Sequence, residues 1–114
     1  MTKAGGLPGI TGEARHCRVA RNVKARMRDG VDLSATIFFP KKPGRYPVVL
    51  IRTAYNRVNY IDTSFPTNGM ILVVQDCRGR YESGGEWVPL VNETQDGYDT
   101  IKWLLRQPWC NGKI

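Results

Sequence analysis

The chain is poor in the residues that build most catalytic and metal centres. It has one histidine, His16, and three cysteines, Cys17, Cys77 and Cys110. The cysteines are odd in number, widely spaced and free of any C-x-x-C pair, so neither a zinc site nor a disulfide framework is indicated. Three unpaired thiols suit a reducing compartment. No stretch approaches the ~18 apolar residues of a membrane span, and Met1 to Gly12 lacks the apolar centre of a signal peptide. The expectation is a soluble cytoplasmic protein with no membrane partner, no cofactor and no metal.

Phosphate-binding and nucleophilic motifs are missing too. Gly79-x-x-x-x-Gly84 starts like a phosphate loop, but Gly85-Glu86 stands where Lys-Ser/Thr is needed. Ser83 lies in Tyr-Glu-Ser-Gly-Gly, without the glycine two places earlier that a strained nucleophile turn requires. His16, beside Cys17 in a glycine-rich leader, reads as a solvated or hydrogen-bonded side chain rather than a base or ligand. No nucleophile and base can be paired within the chain.

What is present is a globular composition, 41% hydrophobic and 10% aromatic in 114 residues, enough for one domain. The charge is uneven. Residues 1–45 hold ten lysines and arginines against three acids, a balance of +7, and the remainder holds seven of each. A basic third raises the question of nucleic acid. However, the cations from Arg18 to Arg28 alternate with apolar residues, and no basic run or aromatic stacking platform accompanies them. Nucleic acid is not an expected partner.

Residues 1–16, with Gly5, Gly6, Pro8, Gly9 and Gly12, read as a flexible leader. Arg18 to Met27 alternates, with Val19, Val23, Ala25 and Met27 on one face and Arg18, Lys24 and Arg26 on the other. Arg28-Asp29-Gly30 has turn chemistry. Val31, Leu33, Ala35, Ile37 and Phe39 then alternate with Asp32, Ser34 and Thr36, which predicts a hairpin with one buried face. The unbroken runs Val48–Ile51 and Met70–Val74 predict interior strands covered on both faces. Residues 53–68 between them are too long for a tight turn and predict a crossover or functional loop. Asn92 can cap a helix with Glu93 and Asp96 in its first turn. In that helix Tyr98, Ile101 and Leu105 form an apolar stripe flanked by Leu104, Trp103 points elsewhere, and Pro108 ends it.

A hairpin feeding interior strands and one main helix is the opening of an α/β-hydrolase sheet, so the fold class expected is α/β. After Pro108-Trp109 and the Asn111-Gly112 turn, Lys113-Ile114 reads as a strand just begun. In an α/β-hydrolase that strand leads into the G-x-S-x-G nucleophile elbow. The elbow is absent here, and the expectation is that residues 17–114 are a truncated N-terminal portion of such a domain.

Three segments carry a more specific resemblance. Ile51-Arg52-Thr53-Ala54-Tyr55-Asn56 ends one strand. Asp76-Cys77-Arg78-Gly79-Arg80-Tyr81-Glu82-Ser83-Gly84-Gly85-Glu86-Trp87 follows the next. The third runs from Asp96-Gly97-Tyr98-Asp99 through Trp103-Leu104 to Gln107-Pro108-Trp109-Cys110-Asn111-Gly112-Lys113. Together they resemble the cocaine esterase and X-Pro dipeptidyl-peptidase superfamily, from about residue 21 onward. The resemblance implies a Ser-Asp-His hydrolase with an inserted helical cap and a C-terminal jelly roll. It acts on a small-molecule ester or amide or an X-Pro peptide, and its triad lies beyond this segment. It also implies that Tyr55 donates its phenol O–H to the oxyanion hole, a role suited to a donor at the end of an interior strand. Ala54 stands where proline is common in the family, which leaves this loop less rigid. Asp76 and Arg78 are expected to fix their own loop by hydrogen bonds, and Trp87, Trp103 and Trp109 to pack. A chain without the triad could also be an inert fragment or a component of an assembly.

Overall fold

The computed structural model describes residues 12–14, 17–57, 64–88 and 91–114. Among them five strands and two helices run in the order β1 (Gly12–Ala14), β2 (Cys17–Arg26), β3 (Asp32–Pro40), β4 (Val48–Thr53), α1 (Ser64–Thr67), β5 (Ile71–Asp76) and α2 (Glu93–Leu105). One mixed sheet holds all the strands in the spatial order β1-β2-β3-β5-β4. Among the described strands only β4 and β5 are parallel, aligned from Val48 opposite Ile71 to Thr53 opposite Asp76. Their connection includes α1, so the long segment expected between the two runs is indeed a crossover. His16 and most of the predicted leader lie outside the described residues. Residues 12–14, read as part of that leader, pair antiparallel with β2.

The β2–β3 hairpin closes where expected. Met27 N–H donates to Val31 O at 2.8 Å, Gly30 N–H donates to Met27 O at 3.0 Å, and Gly30 takes φ +87°. That left-handed conformation suits a residue without Cβ. The alternation along β2 does not run through unbroken. Between Ala20, opposite Ile37, and Val23, opposite Ala35, two residues face one. This bulge, with Asn22 at φ +57°, shifts the side-chain phase by one. Val19 therefore lies on the face opposite Val23, Ala25 and Met27 rather than with them. Arg18, expected in solvent, lies half-buried with its guanidinium carbon 5.5 Å from the Phe39 ring centroid.

The hairpin also has two covered faces instead of one. One side of the sheet packs Ala20, Ala35, Ile37, Phe39, Ile71 and Val73 against Leu104, Trp109 and the half-buried Trp103. The other packs Cys17, Val19, Phe38, Leu72 and Val74, with Phe65 of α1 against them. Ser34 and Thr36, placed on an outer face by their polarity, are buried. β5 is buried throughout, as its apolar run predicts. β4 is the outermost strand among the described residues, with Val49, Leu50 and Ile51 only half-buried.

The helix forms over the expected residues but turns a different face inward. Asp96, Thr100 and Leu104 are buried, whereas Tyr98, Ile101 and Leu105 are 56, 40 and 47% exposed. Asn92 takes the N-cap position without a side-chain cap bond. Polar partners explain the choice of face. Arg78 donates to both oxygens of Asp96, and Thr100 Oγ1 donates to Gln75 Oε1 at 3.1 Å. Rolling the apolar stripe inward would strand those buried groups at a penalty of roughly 1–3 kcal/mol each.

Candidate functional site

In open α/β sheets, ligands bind beyond the carboxyl ends of the strands. At that end of the parallel pair, Tyr55 follows β4 by two residues and is 80% exposed. The backbone around it is held at three points. Tyr55 N–H donates to Thr53 Oγ1 at 2.9 Å, Arg80 Nε donates to Ala54 O at 2.9 Å, and Arg57 N–H donates to Asp76 Oδ1 at 2.8 Å. Asn56, between Tyr55 and Arg57, sits at φ +74°. Asparagine tolerates that region better than most residues. Such conformations persist where surrounding contacts over-determine them. The phenol thus projects from a backbone fixed on both sides.

Arg57 lies buried beneath this arrangement. It is 2% exposed. Its guanidinium donates to Asp76 Oδ2 and to Glu82 Oε1, and its Nε donates to Thr36 Oγ1 at 3.2 Å. Burying a guanidinium is tolerable only when it is paired and hydrogen-bonded. Here the fully buried Asp76 supplies both, through one oxygen to the backbone and the other to the side chain. Arg57 and Glu82 carry no sequence signal. The contacts of Arg57 with Asp76 and Glu82 cross 19 and 25 residues, and no periodic pattern includes them.

The loop after β5 supplies the other half of the framework. Gly79, at φ +72°, lies so close to the returning chain that a Cβ would meet Trp87 N at 2.0 Å, so only glycine fits. Ser83 is spent on architecture. Its hydroxyl donates to Asp76 O at 2.6 Å and accepts from Ser34 N–H at 2.8 Å, tying β5 to β3. Asp76 and Arg78 reach beyond their own loop, Asp76 to the Tyr55 segment and Arg78 to Asp96 of α2 and Asp29 of the hairpin turn. The Asp96 hydrogen bonds, foremost, make Arg78 hold its proton more firmly than usual. Arg78 in turn keeps the Asp29 carboxyl below the usual range. Burial pushes the Cys77 thiol up to about 11, which leaves it an inert thiol at neutral pH. Cys17 and Cys110 are likewise buried. Trp109 is buried edge-on to Phe39 and Trp103, and Trp87 lies 5.5 Å from the Arg80 guanidinium carbon.

The last residues approach the outer edge of β4. Tyr46 N–H donates to Trp109 O, Asn111 N–H donates to Tyr46 O, and Val48 N–H donates to Lys113 O at 2.9 Å. The bridge between Tyr46 and Cys110 is parallel. The segment therefore travels toward the end of β4 that carries Tyr55. A cleft of about 210 Å³ lies elsewhere, between the hairpin turn and α2, where Arg28 clasps Asp99. Among the described residues no group of three potential ligands could hold a metal ion.

A parallel pair joined by a crossover, an antiparallel hairpin beside it and one covering helix together form the N-terminal part of an α/β-hydrolase. The family description X-Pro dipeptidyl-peptidase (S15 family) matches residues 29–114, and the chain belongs to that family. It is similar to the cocaine esterase of Rhodococcus sp. (strain MB1 Bresler), 38% identical over 104 residues, covering 84% of this chain and 18% of that protein. Among solved structures, an α-amino acid ester hydrolase matches with a TM-score of 0.76 at 30% identity, over 98% of this chain and 23% of that one. A CocE/NonD family hydrolase from Staphylococcus aureus matches with a TM-score of 0.74 at 27% identity, over 84% of this chain and 22% of that one. The chain thus spans about one fifth of the length of these relatives. No helix among the described residues is long and apolar enough to cross a membrane.

Proposed function

We propose that this chain is the N-terminal part of a cytoplasmic serine hydrolase that transfers an acyl group from a small ester, an amide or an X-Pro peptide to water. In this reading residues 17–114 build one side of the active site, and the nucleophile, its base and its acid come from sequence outside these 114 residues. Tyr55 supplies an oxyanion-hole donor. The observation that carries the reading is its placement: an exposed phenol on a pinned backbone, at the C-terminal end of a parallel strand. A donor fixed before the reaction stabilises charge that develops only in the transition state.

The chain by itself is non-catalytic in this reading, since it contains no elbow serine and no base within reach of one. Full-length protein should hydrolyse an activated ester, and a serine-directed phosphonate should stop it. The 114-residue chain should do neither. Turnover by the short chain that the phosphonate abolishes would overturn the proposal, as would a full-length protein indifferent to that inhibitor.

A further inference from the structure

We propose that Arg57 is a positioning residue for the hydroxyl of Tyr55. This rests on the oxyanion reading of Tyr55 and names the group that enforces it. Tyr55 is 80% exposed, and the course of the backbone that carries it bears directly on where its hydroxyl points. That backbone turns through Asn56 in the left-handed region and is caught again at Arg57, two residues on. Arg57 then anchors the turn to three separate parts of the sheet layer: Thr36 of β3, Asp76 of β5 and Glu82 of the loop that follows β5.

Stability alone is a weak reason for such a cluster. A buried ion pair often contributes no more than well-packed apolar residues of the same volume, and its firmest use is to fix one geometry. The guanidinium is suited to that use, because its planar fork reaches several acceptors in set directions. Ala54 adds to the need. The residue before Tyr55 does not restrain φ as a proline would, and the restraint comes instead from Arg80 on Ala54 O and from Arg57 on Asp76. Asp76 is the hinge of the device, since one carboxylate holds both the backbone and the side chain of Arg57.

A double-mutant cycle on full-length enzyme tests this, with kcat, KM and the unfolding midpoint measured for Arg57→Lys, Tyr55→Phe and the pair. Lysine keeps the charge beside Asp76 but cannot reach Thr36, Asp76 and Glu82 together. Arg57→Lys should lower kcat on the order of 10-fold, in line with the large effect of small misplacements, with KM changed far less. In the Tyr55→Phe background the same change should have almost no effect on kcat, because there is no hydroxyl left to aim. If Arg57→Lys does not fold, Glu82→Gln repeats the cycle at the half-exposed end of the cluster. An equal fold-loss in both backgrounds would overturn the positioning role and leave the oxyanion reading standing. A silent Tyr55→Phe would overturn both.

Discussion

Arg78 holds the carboxylate of Asp96 with two donors, Nε to Oδ2 at 2.9 Å and Nη2 to Oδ1 at 2.8 Å, and so fastens the loop after β5 to the first turns of α2. Asp96 is buried and Arg78 nearly so. Breaking one partner of a buried pair leaves an uncompensated charge, and the loss is typically ~3–5 kcal/mol. Asp96→Ala should therefore destabilise the protein by about 3 kcal/mol, at the low end because Asp29 still faces Arg78. Denaturant unfolding of this variant checks it, and a change below about 1 kcal/mol would show that the pair does not hold the helix.

The same pair explains where sequence reading ended. The hairpin, the two apolar strands, the crossover and the extent of α2 were all legible, because period-2 alternation, continuous apolar runs and helix-stop residues act locally. Which face of α2 turns inward was not. Tyr98, Ile101 and Leu105 make the better apolar stripe, yet the ion pair at Asp96 and the Gln75–Thr100 hydrogen bond decide the orientation through residues 18 to 25 positions away. The bulge at Asn22 coincides with a local break in the alternation, two apolar residues, Val19-Ala20, followed by two polar ones, Arg21-Asn22, which the period-2 reading of β2 passed over. Tyr55 could be singled out only through the family resemblance, and Arg57 not at all, its partners being scattered over β3, β5 and a loop.

Acid should weaken the fold in a defined window. Asp29, Asp32 and Asp99 all have carboxyl groups held below their usual value, by Arg78, Arg26 and Arg28 respectively. For a depressed folded-state value, the contribution is full above the unfolded value of ~3.9 and is lost as pH falls through the lower folded values. The unfolding midpoint should drop between about pH 5 and about pH 2, and replacing the three by asparagine should flatten that slope. An unchanged slope would contradict the assignment.

Alkali should act through Cys77. With the folded thiol at about 11, the folded state retains a proton that the unfolded chain gives up. Stability should be unaffected below the unfolded value of ~8.5 and fall as pH rises toward about 11. At pH 8 alkylation of Cys77 should be slow in folded protein and rapid in denaturant, as peptide mapping after iodoacetamide treatment would reveal. Rapid modification of the folded protein would mean the thiol is not shielded.

The 114-residue chain on its own should self-associate. Among the described residues, the outer edge of β4 is met by residues 109–113 near its start, and an open apolar edge strand templates pairing with other chains. Sedimentation at micromolar concentration should detect species larger than a monomer. A monomer that unfolds cooperatively would contradict this and show that the segment stands alone as a domain.

The proposed role of the Tyr55 hydroxyl as oxyanion donor is tested by kcat for Tyr55→Phe in the full-length protein. The substitution keeps the ring and removes one donor, so the unfolding midpoint should move by no more than the ~1 kcal/mol of a single hydrogen bond. kcat should fall on the order of 10²-fold or more, with KM altered far less. A kcat within a few-fold of the parent would show that Tyr55 is not the donor.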